Sequence, residues 1–310
     1  MTSDQLITLK EERVPVISGK AFYSESLPKA LAQAQIYAGK KGYVATMPHL
    51  LLNFPHQEWY TANSEDLVGI DTDGLFGEKG QAVVVTYHGG GILAGHPQRI
   101  QKAYGEKLTP QYAGKLTNPE FAAALRGEVL PKGKAPVYKF EEFLEESASS
   151  TFLEDHLVYG VVRSFESAKA QPSGNGQKIS TLADHTQVIV YAGGKQRAAE
   201  AMESAAKVFK DGKLAVWHPF NAEAFDVTQA QGRVLFLNYL PCDGLYGSYY
   251  LNYGGRFVGV AAEPHSGKMR NARVEKNPRP TLDQVLRAGQ DHVSPAGRRA
   301  FEQEIRGLYR

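Results

Sequence analysis

The densest β-signature in the chain is Ala82 to Val85, extended by Thr86-Tyr87-His88 and cut off by three consecutive glycines, Gly89 to Gly91. A β-branched run that ends in glycines predicts a buried strand delivering a tight, accessible turn. Upstream, Leu27, Ala30, Leu31, Ala34 and Ala38 recur at helical spacing and predict an amphipathic helix over 27–41, with Pro28 in its first turn. Leu6 to Ile17 reads as extended. Tyr43 to Asn53 reads as a strand or extended segment interrupted at Pro48, and Phe54 to Gly80 as loops around a short strand, Leu67 to Ile70.

Beyond the glycine turn the pattern predicts a helix over Pro97 to Lys107 and another opened by Asn118-Pro119-Glu120 and stopped at Gly127. A short strand at Val137 to Phe140 and a helical turn at Glu141 to Glu146 follow. In His156 to Phe165 the β-branched content favours a strand. Gln187 to Tyr191 reads as a strand, Ala192 to Lys195 as a turn, Gln196 to Lys210 as a helix and Leu214 to Trp217 as a strand. Together they make a β–Gly–Gly–α–β crossover. Arg233 to Tyr239, Gly247 to Asn252 and Arg256 to Ala261 read as a meander, and helices capped by Thr281 and Ser294 close the chain. The expected class is α/β or α+β: a mixed β-sheet flanked by helices, with a late antiparallel meander and C-terminal helices. One globular domain over 1–310 accommodates this, with two lobes meeting near 171–177 as the alternative.

Composition narrows the function classes. With 310 residues, 42% hydrophobic and 22% charged, the chain can bury a sizeable core. It has no apolar run of 18 residues and a polar start, so a cytoplasmic protein with no membrane partner is the expectation. The single cysteine, Cys242, excludes an internal disulfide and a thiolate cage, and Asp243 beside it disfavours a reactive thiolate. A formal net charge of +2 argues against nucleic acid. The acidic stretch 141–155 and the basic stretch 265–310 read as solvated faces.

Candidate chemistry gathers at the glycine turn. Gly89, Gly90 and Gly91 offer bare N–H groups for an oxyanion, His88 and His96 flank them as proton-transfer groups, and Arg99 sits where it would bind negative charge. The sequence His88-Gly89-Gly90-Gly91 after an apolar strand resembles the oxyanion-hole loop of hormone-sensitive-lipase-type α/β-hydrolases. That resemblance implies acyl chemistry, but covers only the loop, since no G-x-S-x-G elbow follows. Asp71 and Asp73, in D-T-D-G, resemble the first motif of haloacid-dehalogenase-type phosphatases, which implies a nucleophile and an acid–base partner; two such carboxylates also suit a divalent metal. The later acids of that family are missing. Gly193, Gly194 and Lys195 before a long helix form a second candidate anion site. A cluster of tyrosines (Tyr239, Tyr246, Tyr249, Tyr250, Tyr253) could build a contact surface.

Two functions follow. The first is an intracellular hydrolase- or lyase-like enzyme acting on a small polar or anionic substrate. Its catalytic groups would be His88, His96 and Asp71, its substrate-binding groups Gly89 to Gly91, Arg99 and Gly193 to Lys195, and its cofactor is undetermined, with a divalent metal left open. The alternative is a non-catalytic ligand-binding or assembly protein, open to homo-oligomer formation, that uses glycine turns and the tyrosine-rich meander as an interface.

Overall fold

A strand of unexpected length and polarity lies at the centre of the molecule. The computed structural model describes residues 19–52, 60–106, 108, 113–223, 225–238, 244–247, 251 and 254–262, all within the unit Met1–Ala262 of a chain that divides again at Glu263. The N-terminal extended segment, Cys242, Tyr239, Tyr249, Tyr250, Tyr253, the C-terminal helices and the basic stretch lie outside the described residues.

The elements run β1 (Lys20–Ser24), α1 (Leu27–Ala38), β2 (Tyr43–Val44), α2 (Met47–Leu52), β3 (Tyr60–Ile70), β4 (Ala82–His88), α3 (Pro97–Glu106), β5 (Gly114–Lys115), α4 (Asn118–Leu125), β6 (Val137–Lys139), α5 (Phe140–Glu146) and α6 (Phe152–Asp155). Then come β7 (Tyr159–Ser164), α7 (Phe165–Lys169), β8 (Gly174–Lys178), α8 (Ile179–Leu182), α9 (Thr186–Ala192), α10 (Lys195–Val208), β9 (Lys213–Trp217), β10 (Gln231–Asn238), β11 (Gly244–Tyr246) and β12 (Gly255–Val260). The long mixed sheet has the order β6-β7-β4-β3-β10-β11-β9-β8, with β5 also on β10, and a small sheet has the order β1-β12-β2. The architecture is thus a mixed sheet flanked by helices. Among the described residues no helix is long and apolar enough to cross a membrane.

Alternation along the central strands divides the core in two, because successive side chains point to opposite faces. Val83, Val85, Tyr87, Val234 and Phe236 join the helices α1, α3 and α4, whereas Val161, Leu235 and Leu237 join α2, α9 and α10. Gly69 of β3 has no side chain because the ring of Phe121, from α4, lies 2.7 Å from where a Cβ would stand.

Several expectations change. The segment Tyr60–Asp66, expected as loop, is the first half of β3, and Thr61 through Gly69 are all buried. Pro48 does not interrupt a strand; it opens α2, where a missing N–H costs nothing. Gln187 to Tyr191 is helix α9 rather than a strand, so the β–Gly–Gly–α–β crossover is in fact helix, glycine turn, helix, strand. The residue capping α4 is Thr117, one before Asn118, in a capping box with Glu120. Residues 174–178, in the glycine-rich stretch, form β8 on β9. Of the late strands, β10 and β11 pair antiparallel, β11 continues parallel to β9, and β12 joins the small sheet.

Burying β3 requires partners for its polar side chains, and a closed ring supplies them on one face. Thr86 Oγ1 donates to Asp66 Oδ1 at 2.6 Å and accepts from Arg163 at 3.3 Å. Arg163 also donates to Gln187 Oε1 at 2.7 Å, and Gln187 returns to Asp66 Oδ2 at 3.3 Å, where Tyr191 Oη donates at 2.6 Å. Burial pushes the Asp66 carboxyl up, against the pull of Arg163 and these donors. This ring ties β3, β4 and β7 to α9, and explains why α9 is fixed as a helix on that face.

Removing the anion from such a ring leaves a buried guanidinium uncompensated. Asp66→Ala is expected to destabilise the fold by about 3–5 kcal/mol, read as a shift in the urea midpoint. A shift below about 1 kcal/mol would show that the ring contributes nothing net.

Candidate functional site

The glycine turn follows β4 directly. Gly89 has φ 82 and Gly91 φ 106, conformations that a side chain strongly disfavours, and a Cβ at Gly89 would run into the carbonyl of Leu157. A Cβ at Gly91 would meet Glu65 Oε1. That contact reveals how the turn is built. Glu65 of β3 accepts from the N–H of Ile92 at 2.5 Å, of Leu93 at 2.6 Å and of Ala94 at 2.7 Å. The amides resembling an oxyanion-hole loop therefore adjoin three others already occupied by the protein's own carboxylate. Burial pushes the Glu65 carboxyl up to about 7, opposed by those three donors and reinforced by neighbouring Asp66.

His88 turns away from the turn into the core and is fully buried. Its Nε2 lies 3.0 Å from the carbonyl of Val190, which can only accept, so Nε2 carries the proton and Nδ1 accepts from Ser64 Oγ at 2.9 Å. Ser64 Oγ in turn accepts from the N–H of Met47 at 2.9 Å. Burial lowers the imidazole to about 3. His88 is thus a neutral cross-link between β3, β4 and α9.

The other sequence candidates do not converge on it. Ser64 pairs with His88 and Ile70 with Ala82, so Asp71 lies at the opposite end of the β3–β4 hairpin, roughly 20 Å away at the usual rise per residue. There Asp71 caps its own turn, accepting from Gly74 N at 2.9 Å and Phe76 N at 2.8 Å, while Asp73 pairs with Arg126 at 3.2 Å. Among the described residues no group of three or more His, Cys, Asp or Glu could hold a metal ion. Gly193 ends α9 and Gly194 packs against Ser147, with Arg197 gathering the carbonyls of Ser147 and Gly193; Lys195 pairs with Asp184 at 3.3 Å. Arg99 is held by Glu106 at 3.2 Å, by Glu120 at 3.7 Å and by the carbonyl of Lys115. His96 is exposed at the rim.

A cavity of about 360 Å³ opens beside the turn. Its wall combines Gly89, Gly90, Gly91, Gly95 and His96 with Gln35 and Gly39 from the end of α1, Tyr43, Val44 and Thr46 from β2 onward, Asn63 of β3, and the apolar residues Val129, Leu130, Leu157 and Val158. Among the described residues no Asp, Glu, Lys or Arg lines it. A shallower groove shares Gly91, His96 and Val129 with it and leads to Arg99 and Lys102.

The residue that sequence reasoning missed is Asn63. Its main chain is fixed on both sides: its N–H donates to Ala45 O at 2.9 Å, and its carbonyl accepts from Gly89 N at 2.8 Å. The residue is 7% exposed, and its Oδ1, closed off from solvent, has no partner among the described residues. A buried acceptor left unpaired costs about 1–3 kcal/mol, a cost the strand carries beside the cavity. Lying within a polar stretch read as loop, it carried no sequence cue.

The buried imidazoles set the acid response. His88 is lowered to about 3, and His49 and His218 to about 4, each chiefly by burial. A depressed histidine contributes stability that is complete above its unfolded value near 6.5 and is lost as pH falls toward the folded value. Glu65, raised to about 7, works the other way, gaining stability as pH falls from about 7 toward 4.5. His185, lowered, and Asp66, raised, add one of each sign. With the three imidazoles at about 3 to 4 set against the one carboxyl at about 7, unfolding near pH 5.5 takes up about two protons, and stability should fall by roughly 2–3 kcal/mol per pH unit between 6 and 5. Urea titrations at those pH values check this; a flat or rising stability would contradict the neutral histidines.

No family model matches the chain, and no curated protein matches it. The chain is similar to a solved structure from work on the accommodation of massive sequence variation in Nanoarchaeota by the C-type lectin fold, at 23% identity, covering 80% of this chain and 99% of that one with a TM-score of 0.56. At that identity the likeness shows the fold alone: an α+β arrangement of the C-type lectin kind.

Proposed function

We propose that this chain is a non-catalytic binding protein on a C-type lectin-like scaffold, and that it holds a small polar molecule in the cavity beside residues 89–91. The observation that carries this reading is the direction taken by His88. The imidazole expected to move protons is sealed in the core between Ser64 and Val190, and the nearest carboxylate, Glu65, is consumed by three main-chain amides. What faces the cavity is a set of hydrogen-bonding and apolar groups suited to holding a molecule rather than converting it. A fold described as accommodating massive sequence variation supports the same reading, since recognition surfaces vary where catalytic constellations cannot.

A screen of neutral fragments by amide NMR on the full chain tests it. Binders are expected to shift the Gly90, Gly91 and Gly95 signals, and Leu130→Trp, which fills the cavity, is expected to weaken them about tenfold or more. His88→Ala is expected to leave fragment affinity within a few-fold while costing about 2–4 kcal/mol of stability through the lost contacts. The reading fails if no fragment reports from the turn, or if His88→Ala keeps its stability while a substrate turnover disappears.

A further inference from the structure

Two buried histidines far from the glycine turn in sequence meet on one short segment. Residues 171–173 lead from α7 into β8, the strand that ends the long sheet on its side, and both imidazoles are fastened to that segment. We propose that His185 and His218 form an acid-operated latch. At neutral pH they hold β8 on β9, and at mildly acidic pH they let this edge strand go while the rest of the sheet stays folded.

The fastening is specific. His218 Nε2 lies 3.0 Å from the carbonyl of Gln171, and His185 Nε2 lies 3.0 Å from the carbonyl of Pro172. A carbonyl only accepts, so each ring is neutral with its proton on Nε2. Ser173 completes the clamp: its Oγ donates to the His218 carbonyl at 2.9 Å and accepts from the His218 N–H at 3.0 Å. Just inside β8, Asn175 Oδ1 accepts from Trp217 Nε1 at 3.0 Å. The ladder itself holds β8 weakly, because its register with β9 is interrupted between Gly174 and Gln177. The strand therefore depends on the clamp at its start.

Acid acts on the other nitrogen of each ring. Nδ1 of His185 and Nδ1 of His218 are buried with no hydrogen-bond partner among the described residues, so a second proton there would be a donor without an acceptor. It would also bring a cation without a counter-charge. The charged groups acting on the pair are Arg163 and, on His218, His185 itself. Asp66 is committed to the ring that holds Arg163. Glu166 and Lys169 of α7, Lys178 of β8, Lys213 of β9, Asp184 before α9 and Glu223 beyond His218 are all exposed, and Asp184 already pairs with Lys195. Phe220 stacks on the His218 ring at 5.0 Å and supplies an apolar cover. Burial accordingly holds His185 below its ordinary value and His218 down at about 4. Once β8 leaves, both rings reach water and take up protons near pH 6.5, so the latch is complete above that value and weakens as the pH falls toward the folded one.

Hydrogen exchange on the full chain, followed by NMR at pH 7 and pH 5 and corrected for the intrinsic rate at each, tests the latch. The reporters are the main-chain N–H of His218 and the indole N–H of Trp217, with Val84 and Val85 of β4 standing for the whole sheet. In the wild type both reporters are expected to lose about tenfold or more in protection between pH 7 and pH 5, and at pH 5 to be about tenfold or more less protected than β4. The side chains of His185→Gln/His218→Gln can still donate to the two carbonyls but take up no proton, and in that variant the loss is expected to shrink to about threefold or less. A wild-type loss below about threefold, equal protection of reporters and β4 at pH 5, or a loss that persists in the double variant overturns the latch. If the double variant does not fold, the wild-type comparison of reporters with β4 decides alone.

Discussion

A single carboxylate gives this molecule its working shape. Glu65 projects from the middle of the sheet and takes the N–H groups of Ile92, Leu93 and Ala94 at 2.5 to 2.7 Å. Taking a carboxylate out of water costs several kcal/mol, and it is tolerated only when charge-assisted bonds satisfy its lone pairs. Three convergent amides in one turn do that, much as a backbone nest holds an external anion. The consequence runs both ways. Glu65 allows a polar strand to lie at the centre of the fold, and the same bonds fix the path of 89–95, forcing glycine at position 91 and leaving the cavity beside it.

The opposite face of the strand follows the same rule with different chemistry. Asp66, Thr86, Arg163, Gln187 and Tyr191 close a ring, and Ser64 and His88 connect the strand to α9 through the Val190 carbonyl. Polar groups do in this core what apolar contacts do elsewhere, with the added demand that every partner be present. A proposed site that borrowed His88 or Glu65 for catalysis would have to break one of these connections first.

Much of the fold was legible in the sequence where local pattern and burial agree. The alanine spacing of α1, the valine run of β4, the proline and acid opening α4, and Leu214 to Trp217 each lie where periodicity and turn residues place them. The failures have a common cause. Thr61 to Asp66 looks like a loop because its polarity is local while its partners are distant, at separations of 20 to 125 residues for Asp66. Gln187 to Tyr191 looks like a strand because all five residues are buried, which erases the helical stripe that would identify it. The glycine turn itself was readable as a feature of the site. Which amides it offered and which it had already spent were not, since Glu65 is remote in sequence and Asn63 is marked only by what surrounds it.

The claim that Glu65 shapes the turn is tested most directly by amide hydrogen exchange at Ile92, Leu93 and Ala94. The account predicts protection close to that of the central strands in the wild-type chain, and a loss of about 100-fold or more in Glu65→Ala at those amides. Exchange at the rate of an open loop in the wild type, or protection that survives the loss of the carboxylate, would contradict it.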